Sequence, residues 1–374
     1  MKRRAYLKTA GAAGVVALAG CTGGDGDTTT EPTSTSATTD ATTGTTSTTN
    51  PYAGTLRVAT YGPFVDAPSS SPGSWLKQEF EKQYPDATLQ WFTPNSELNY
   101  FIQRKNQGVT IDADVYVGLN ADDLVRIDAN LDEPLFASGV ELDHAGDVKE
   151  GLHFDPQNRA VPFDTGYVSL VYDETKTTQP RTFADLKQSE YAKKLLVQNA
   201  QSSDTGQAFL LWSIHTLGED TYLDYWDELV SNGARVVKSW DAAYTAYSNG
   251  DRPIVVSYST DQVYAHRSGE PLEKHQVGFL NDQGYANPEG MARFADTDKP
   301  ELARAFMDFM LSADAQSKIP VLNVSFPATT TADLPDSFDQ YAFEPDEPVT
   351  YDYETLQGNL DTWVEQWARR IASK

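Results

Sequence analysis

Apolar positions along the chain follow two rhythms. Thr55-Leu56-Arg57-Val58-Ala59-Thr60-Tyr61 alternates with the period of two of a half-buried strand, and Ser74 to Tyr84 then places Trp75, Leu76, Phe80 and Tyr84 at helical spacing. Thr88 to Phe92 reads as the next strand, Leu98 to Gln107 as a helix, and Ala113 to Gly118 as a strand again. Such alternation predicts a mostly parallel α/β sheet, with ligand-facing loops leaving the carboxyl ends of strands, here after Tyr61 and after Gly118.

A second unit begins at the strand Tyr167 to Tyr172, followed by a short helix from Thr182 to Leu186 anchored by Pro180. It continues as strand Lys194 to Gln198, helix Gly206 to Leu217, strand Arg235 to Lys238, helix Ala242 to Asn249 and strand Pro253 to Tyr258. The pattern returns to the first unit near Gln276 to Leu280. Two crossings make the hinge of a clamshell that closes on a ligand. The expected division is residues 54–165 with 270–330 as one lobe, 166–269 as the other, and 331–374 as a C-terminal helical segment packed on both. Pro300 to Met310 in the first lobe is amphipathic, and Leu356 to Ile371 in the C-terminal segment carries Trp363 and Trp367 four apart, a core stripe.

The first fifty residues follow neither rhythm. Arg3-Arg4 and Lys8 lead into a small apolar run, Ala10 to Ala19, that closes on Leu18-Ala19-Gly20-Cys21. The run is too short to span a bilayer, so residues 1–20 read as an export signal, and the paired arginines point to the twin-arginine route. Cys21 is the sole cysteine, which excludes an intramolecular disulfide; its place after Leu-Ala-Gly matches a lipobox, with Cys21 as the lipid attachment site. Residues 21–53 are then a tether rich in Ser and Thr, too polar to fold, holding the domain on the extracellular face of the cytoplasmic membrane.

Charge sharpens the setting. The chain has 29 Lys and Arg against 54 Asp and Glu, net −25, and without Lys2, Arg3, Arg4 and Lys8 of the signal the net is −29. At about 1 M salt the Debye length falls to roughly 3 Å, so an acidic surface mainly holds water and cations. The composition suits a halophilic archaeon and excludes nucleic acid as a partner.

Catalysis has little support. His144, His153, His215, His266 and His275 show no metal-ligand spacing, and neither a Gly-x-Ser-x-Gly elbow nor a phosphate loop is present. The reading is a binding protein, not an enzyme, with no cofactor or metal. The informative residues are aromatics just after strands: Tyr61, Trp240, Tyr258 and Tyr264, with Tyr244 one turn beyond Trp240. Aromatic faces suit a flat, delocalised cation, contributing about 1–2 kcal/mol per well-placed contact. Any one of them taken alone is more readily explained as a core residue.

These residues lie in runs that resemble the thiamine-binding subfamily of ABC importer solute-binding proteins. The runs include Tyr61-x-x-Phe64, Val161-Pro162-Phe163-Asp164-x-Gly166-Tyr167, Leu210-Leu211-Trp212, Trp240-x-x-Ala243-Tyr244, Ser257-Tyr258-x-Thr260 and Tyr264-x-His266. The resemblance spans Thr55 to Arg369. It implies a two-lobed periplasmic-binding-protein clamshell with two crossover strands and three-layer α/β/α lobes, closing over thiamine or thiamine phosphate. It also implies ABC permease and ATPase subunits as partners, and a monomer. By the same resemblance Tyr61 and Asn120 line the cleft from one lobe, and Ser203, Trp240, Tyr258 and Tyr264 from the other. The loop Gln201 to Gly206, with Ser202 and Ser203, can receive a hydroxyethyl or phosphate oxygen, although helix capping alone accounts for the same residues. Three positions depart from the family pattern: Asn120 replaces an aspartate, and Ser70 and Val324 stand where tryptophans are usual. Ferric iron held by Tyr258 and Tyr264 is the alternative ligand, and a surface enzyme acting on a small molecule is a third reading.

Overall fold

A computed structural model describes residues 50–67 and 70–372; residues 1–20, read from the sequence as an export signal, Cys21 and nearly all of residues 21–53, read as a tether, lie outside the described residues. Period-two alternation fixes the strands. β1 (Gly54–Ala59) lies between β2 (Ala87–Phe92) and β3 (Val115–Leu119), all three parallel. The next strand in the chain, β4 (Ala160–Tyr172), is long. After it, β5 (Leu195–Gln198) lies between β6 (Arg235–Val237) and β7 (Ile254–Tyr258), again all parallel. The short β8 (Gln276–Gly278) pairs with Leu170–Tyr172 of β4, and β9 (Gln283–Arg293) then runs antiparallel to β4 and β3. The resulting order is β2-β1-β3-β9-β4-β7-β5-β6. Each half is thus a parallel triad, and the antiparallel pair β4–β9 joins them.

Between the strands run α1 (Gly62–Asp66), α2 (Gly73–Gln83), α3 (Leu98–Asn106), α4 (Ala121–Asn130), α5 (Asp204–Leu217), α6 (Tyr222–Ser231), α7 (Trp240–Ser248) and α8 (Asp261–Ser268). α9 (Pro300–Met310), α10 (Ala313–Asn323), the short α11 (Asp336–Asp339) and α12 (Tyr353–Trp367) follow. In the first half, Leu56, Val58, Val115 and Val117 pack with Leu76, Phe80, Phe306 and Met310 of α2 and α9, while Tyr116 and Leu119 pack with Phe101 and Leu124 of α3 and α4. In the second, Leu195, Val197, Ile254 and Val256 face Phe209, Trp212 and Trp226 of α5 and α6, while Leu196 and Val255 face Ala243 and Tyr247 of α7. Alternate residues of one strand therefore serve opposite helical layers.

Two local readings change. The helix expected over Thr182 to Leu186 is a single tight turn, Asp185–Lys187, because the Asp185 carboxylate accepts the Arg181 and Thr182 N–H groups at 2.9 and 3.0 Å and folds the chain back. The C-terminal helix ends at Trp367 and widens into a π-turn over Ala368–Ala372. Trp363 and Trp367 are buried, as a core stripe requires, with Trp367 edge-on to Trp226 at 5.4 Å. α12 also reaches the first half, where the Tyr353 hydroxyl donates to Asp128 of α4 and Arg159, just before β4, donates to the same carboxylate at 2.6 Å.

On the crossing strands Asp164 stands in register opposite Glu289, beside a bulge after Pro162. Like charges placed so oppose folding. Burial pushes the Asp164 carboxyl up to about 7 against the pull of hydrogen bonds from Ser325 and Asn323. Glu289 is raised as well, by burial and then by the Asp164 charge. Asn323 Nδ2 donates to Asp164 at 2.8 Å and to the Tyr61 hydroxyl at 3.1 Å, and that hydroxyl donates to Glu289 at 3.0 Å. A carboxyl whose pKa rises on folding takes up a proton, so its contribution to stability is complete below about pH 4 and fades as pH rises through about 7. Asp164→Asn abolishes that loss. Between pH 5 and pH 8 its melting temperature should gain about 2–4 °C on the unsubstituted protein, followed by circular dichroism in concentrated KCl; parallel curves for the two proteins would contradict the burial of charge at this crossing.

Candidate ligand-binding site

The carboxyl ends of five parallel strands carry the residues singled out from the sequence. Tyr61 follows β1, Asn120 follows β3, Ser202 and Ser203 follow β5, Trp240 follows β6, and Tyr258 ends β7. The two sets of ends face each other. Asn120 and Asp122 at the start of α4 share a small cavity with Asp204 and Gln207 at the start of α5 and with Tyr285 and Asn287 of β9. Its volume is about 10 Å³, room for about one water.

Two glycines seat the aromatic rings. A Cβ on Gly118, whose φ is +99°, would lie 2.6 Å from the Tyr61 ring, and one on Gly166 of β4 would lie 3.1 Å from the Tyr258 ring. Only bare backbone lets both rings lie so close to the crossing. Burial holds the Tyr61 and Tyr258 hydroxyls well above the usual phenol range, reinforced at Tyr61 by Glu289 and Asp164 and at Tyr258 by Asp204, Glu289 and Asp164. Both remain neutral hydroxyls that can donate.

Trp240 opens α7 and stacks on Tyr244 with ring centres 4.8 Å apart and planes 23° from parallel. Its indole N–H donates to Ser257 Oγ at 3.1 Å, which ties the platform to the residue beside Tyr258. The Tyr244 hydroxyl donates to Asp261 Oδ1 at 2.6 Å, and Asp261 in turn holds His275 at 2.7 Å, so this ring is braced from behind. Tyr264 lies half-buried on α8.

The polar candidates are largely engaged. Asn120 is the N-cap of α4, and the amide orientation that satisfies its surroundings donates to the Pro288 carbonyl oxygen at 3.1 Å. Ser202 Oγ donates to the Lys238 carbonyl oxygen at 2.8 Å, tying the β5 and β6 loops together. Ser203 is the N-cap of α5, with its Oγ 3.0 Å from Thr205 Oγ1. At the rim, Ser70 Oγ donates to the Leu322 carbonyl oxygen at 2.8 Å and accepts from Arg267 at 3.0 Å, while Val324 takes a left-handed φ of +55° at the end of α10. A β-branched residue is costly there, and the strain is local to this edge of the site.

Sequence reasoning missed the carboxylates. Asp122, Asp123, Asp164, Asp204 and Glu289 act on one another electrostatically across the meeting of the two halves. Asp123 is pushed up to about 8 by burial and then by Asp122, although Arg126 pairs with it. Asp204 opens to solvent on one side, yet the protein packed around it and the facing Asp122 hold its carboxyl up at about 6. Burial is the largest cause of these rises and repulsion among the carboxylates comes second, and a cation placed among them would favour their ionised forms. The aspartates at 122, 123 and 204 each fall in the first turn after a strand, a placement visible in the sequence; Glu289 has no such signal.

Known proteins share this fold. A family model described as bacterial extracellular solute-binding protein matches residues 130–347. A thiamine-binding periplasmic protein of Escherichia coli strain K12 is 29% identical over 319 residues, covering 85% of this chain and 93% of its own length. A solved periplasmic thiamin binding protein superposes with a TM-score of 0.74 at 26% identity, covering 85% of this chain and 96% of that one. The apo ferric ion-binding protein A of Pasteurella haemolytica shares the two-lobed fold, at a TM-score of 0.68 and 13% identity over 84% of this chain and 97% of that one. The family match spans more than half of the sequence and includes both crossing strands, and the chain belongs to the bacterial extracellular solute-binding proteins.

Proposed function

We propose that this protein captures thiamine outside the cytoplasmic membrane and delivers it to the permease and ATPase of an ABC importer. The observation that carries the reading is the combination of the stacked Trp240–Tyr244 platform with five mutually repelling carboxylates where two sets of strand ends face each other. Thiamine is a flat aromatic cation. Its thiazolium charge would be met by Asp164, Asp204 and Glu289, and its rings by Trp240, Tyr258, Tyr61 and Tyr264. Asn120, Ser202 and Ser203 would meet its polar groups from the helix starts.

Residues 54–165 with 270–330 would form one lobe and 166–269 the other, hinging on β4 and β9, with the monomer's closed form docking on the permease. Export by the twin-arginine route and lipid on Cys21 would hold the domain near that permease, raising its effective concentration there. The acidic surface suits the concentrated salt of a halophilic archaeon. Ferric iron has weaker support: among the described residues no group of three or more His, Cys, Asp or Glu is arranged to hold a metal ion, and the chain has no Tyr-Tyr pair.

Trp240→Ala removes the face of the platform while Tyr244 stays braced by Asp261. The dissociation constant for thiamine, from tryptophan-fluorescence titration in concentrated KCl, should rise about tenfold or more, and Trp240→Phe should recover part of the loss. An unchanged constant in Trp240→Ala would remove this pocket from the account. A visible charge-transfer band on adding ferric ion, with no thiamine binding, would favour the iron reading.

A further inference from the structure

The start of α5 has the makings of an anion site, because a helix N-terminus presents free N–H groups and the positive end of its dipole. Here that end is already occupied. Asp204 is the first residue of α5, and across the cavity stands Asp122 in the first turn of α4, with Asp123 next to it in the chain. Both helix starts that face the cleft therefore supply their own negative charge. The cavity between them is lined by Asn120, Asp122, Asp204, Gln207 and Asn287 among its polar residues, with no lysine or arginine. Arg126 is the cation that acts on this group, and it is paired with Asp123.

Resting on the thiamine reading above, we propose that Asp204 is a specificity-determining residue that makes the cleft select the free, hydroxyl-ended cation and reject its phosphate esters. An ester carries the same aromatic cation, so the platform alone cannot tell the two apart. The difference lies at the tail. A phosphoryl group brought to the start of α5 would meet the Asp204 carboxylate and the facing Asp122 at short range, where salt screens poorly and like charges are strongly unfavourable. A hydroxyl at the same place can donate to either carboxylate. The short-range origin of the selectivity means that it persists in concentrated salt.

The test is calorimetric titration of the purified protein and of Asp204→Asn with thiamine, thiamine monophosphate and thiamine pyrophosphate, in concentrated KCl at pH 8. The unsubstituted protein should bind thiamine at least about tenfold more tightly than either ester. In Asp204→Asn, whose amide keeps the size of the carboxylate without its charge, that ratio should fall to within about threefold. Asp122→Asn should lower it by a smaller factor, and supplies a second measure if Asp204→Asn does not fold. Equal affinities for all three ligands in the unsubstituted protein would overturn this proposal and leave the thiamine reading intact, as would an undiminished ratio in both variants. Failure of the folded protein to bind any of the three would overturn the thiamine reading itself, and this inference with it.

Discussion

Everything in the cleft depends on how β4 pairs with β9. The two strands run antiparallel through the middle of the sheet, β9 bordering the first parallel triad at β3 and β4 bordering the second at β7, so their register decides how the carboxyl ends of those triads meet. That register sets Asp164 against Glu289. A buried like-charge pair is a poor choice for stability, and hydrophobic residues on both strands would serve the sheet better. The arrangement makes physical sense if the strands are also the floor of a cation site. Burial raises both carboxyls and the Tyr61 and Asn323 hydrogen bonds ease the pair, as the charge of a bound cation would do.

Salt divides the protein's many carboxylates into two populations. Those spread over the surface face a solution in which charges separated by more than roughly 3 Å scarcely interact at about 1 M salt. The five at the meeting of the halves are partly buried and close together, so they feel one another whatever the bulk ionic strength. Aromatic contact belongs to the same short-range class. An electrostatic lure acting over long distances would fail in brine, whereas a stacked Trp240–Tyr244 face beside desolvated carboxylates retains its attraction for a cation.

The parallel triads were legible because their strands are short, apolar and separated by helices of ordinary period. Pro300–Met310 coincides with its sequence pattern, and Tyr61 and Trp240 lie just past strand ends, whereas Tyr258 is the last residue of β7 and Tyr264 sits within α8. The crossing strands were less legible. The front of β4 is interrupted by Pro162 and Asp164, and β9 contains Asn287-Pro288-Glu289-Gly290, a run with every mark of a turn. Those residues tolerate an extended conformation because the bulge next to Pro162 relaxes the ladder there and Gly290 brings no side chain against Phe154. Glu289 was missed for that reason. Asp122, Asp123 and Asp204 were hidden differently: acidic residues in a first helical turn are so common as caps that only the approach of the two helix starts gives them a second meaning.

The central claim is that a cation in this cleft substitutes for protons held by its carboxylates. Calorimetric titration of the protein with thiamine at pH 7, in concentrated KCl and in two buffers of different ionisation enthalpy, tests it most directly. The account predicts saturable one-to-one binding with net release of protons into the buffer; absence of binding by the folded protein, or binding whose enthalpy is the same in both buffers, would contradict it.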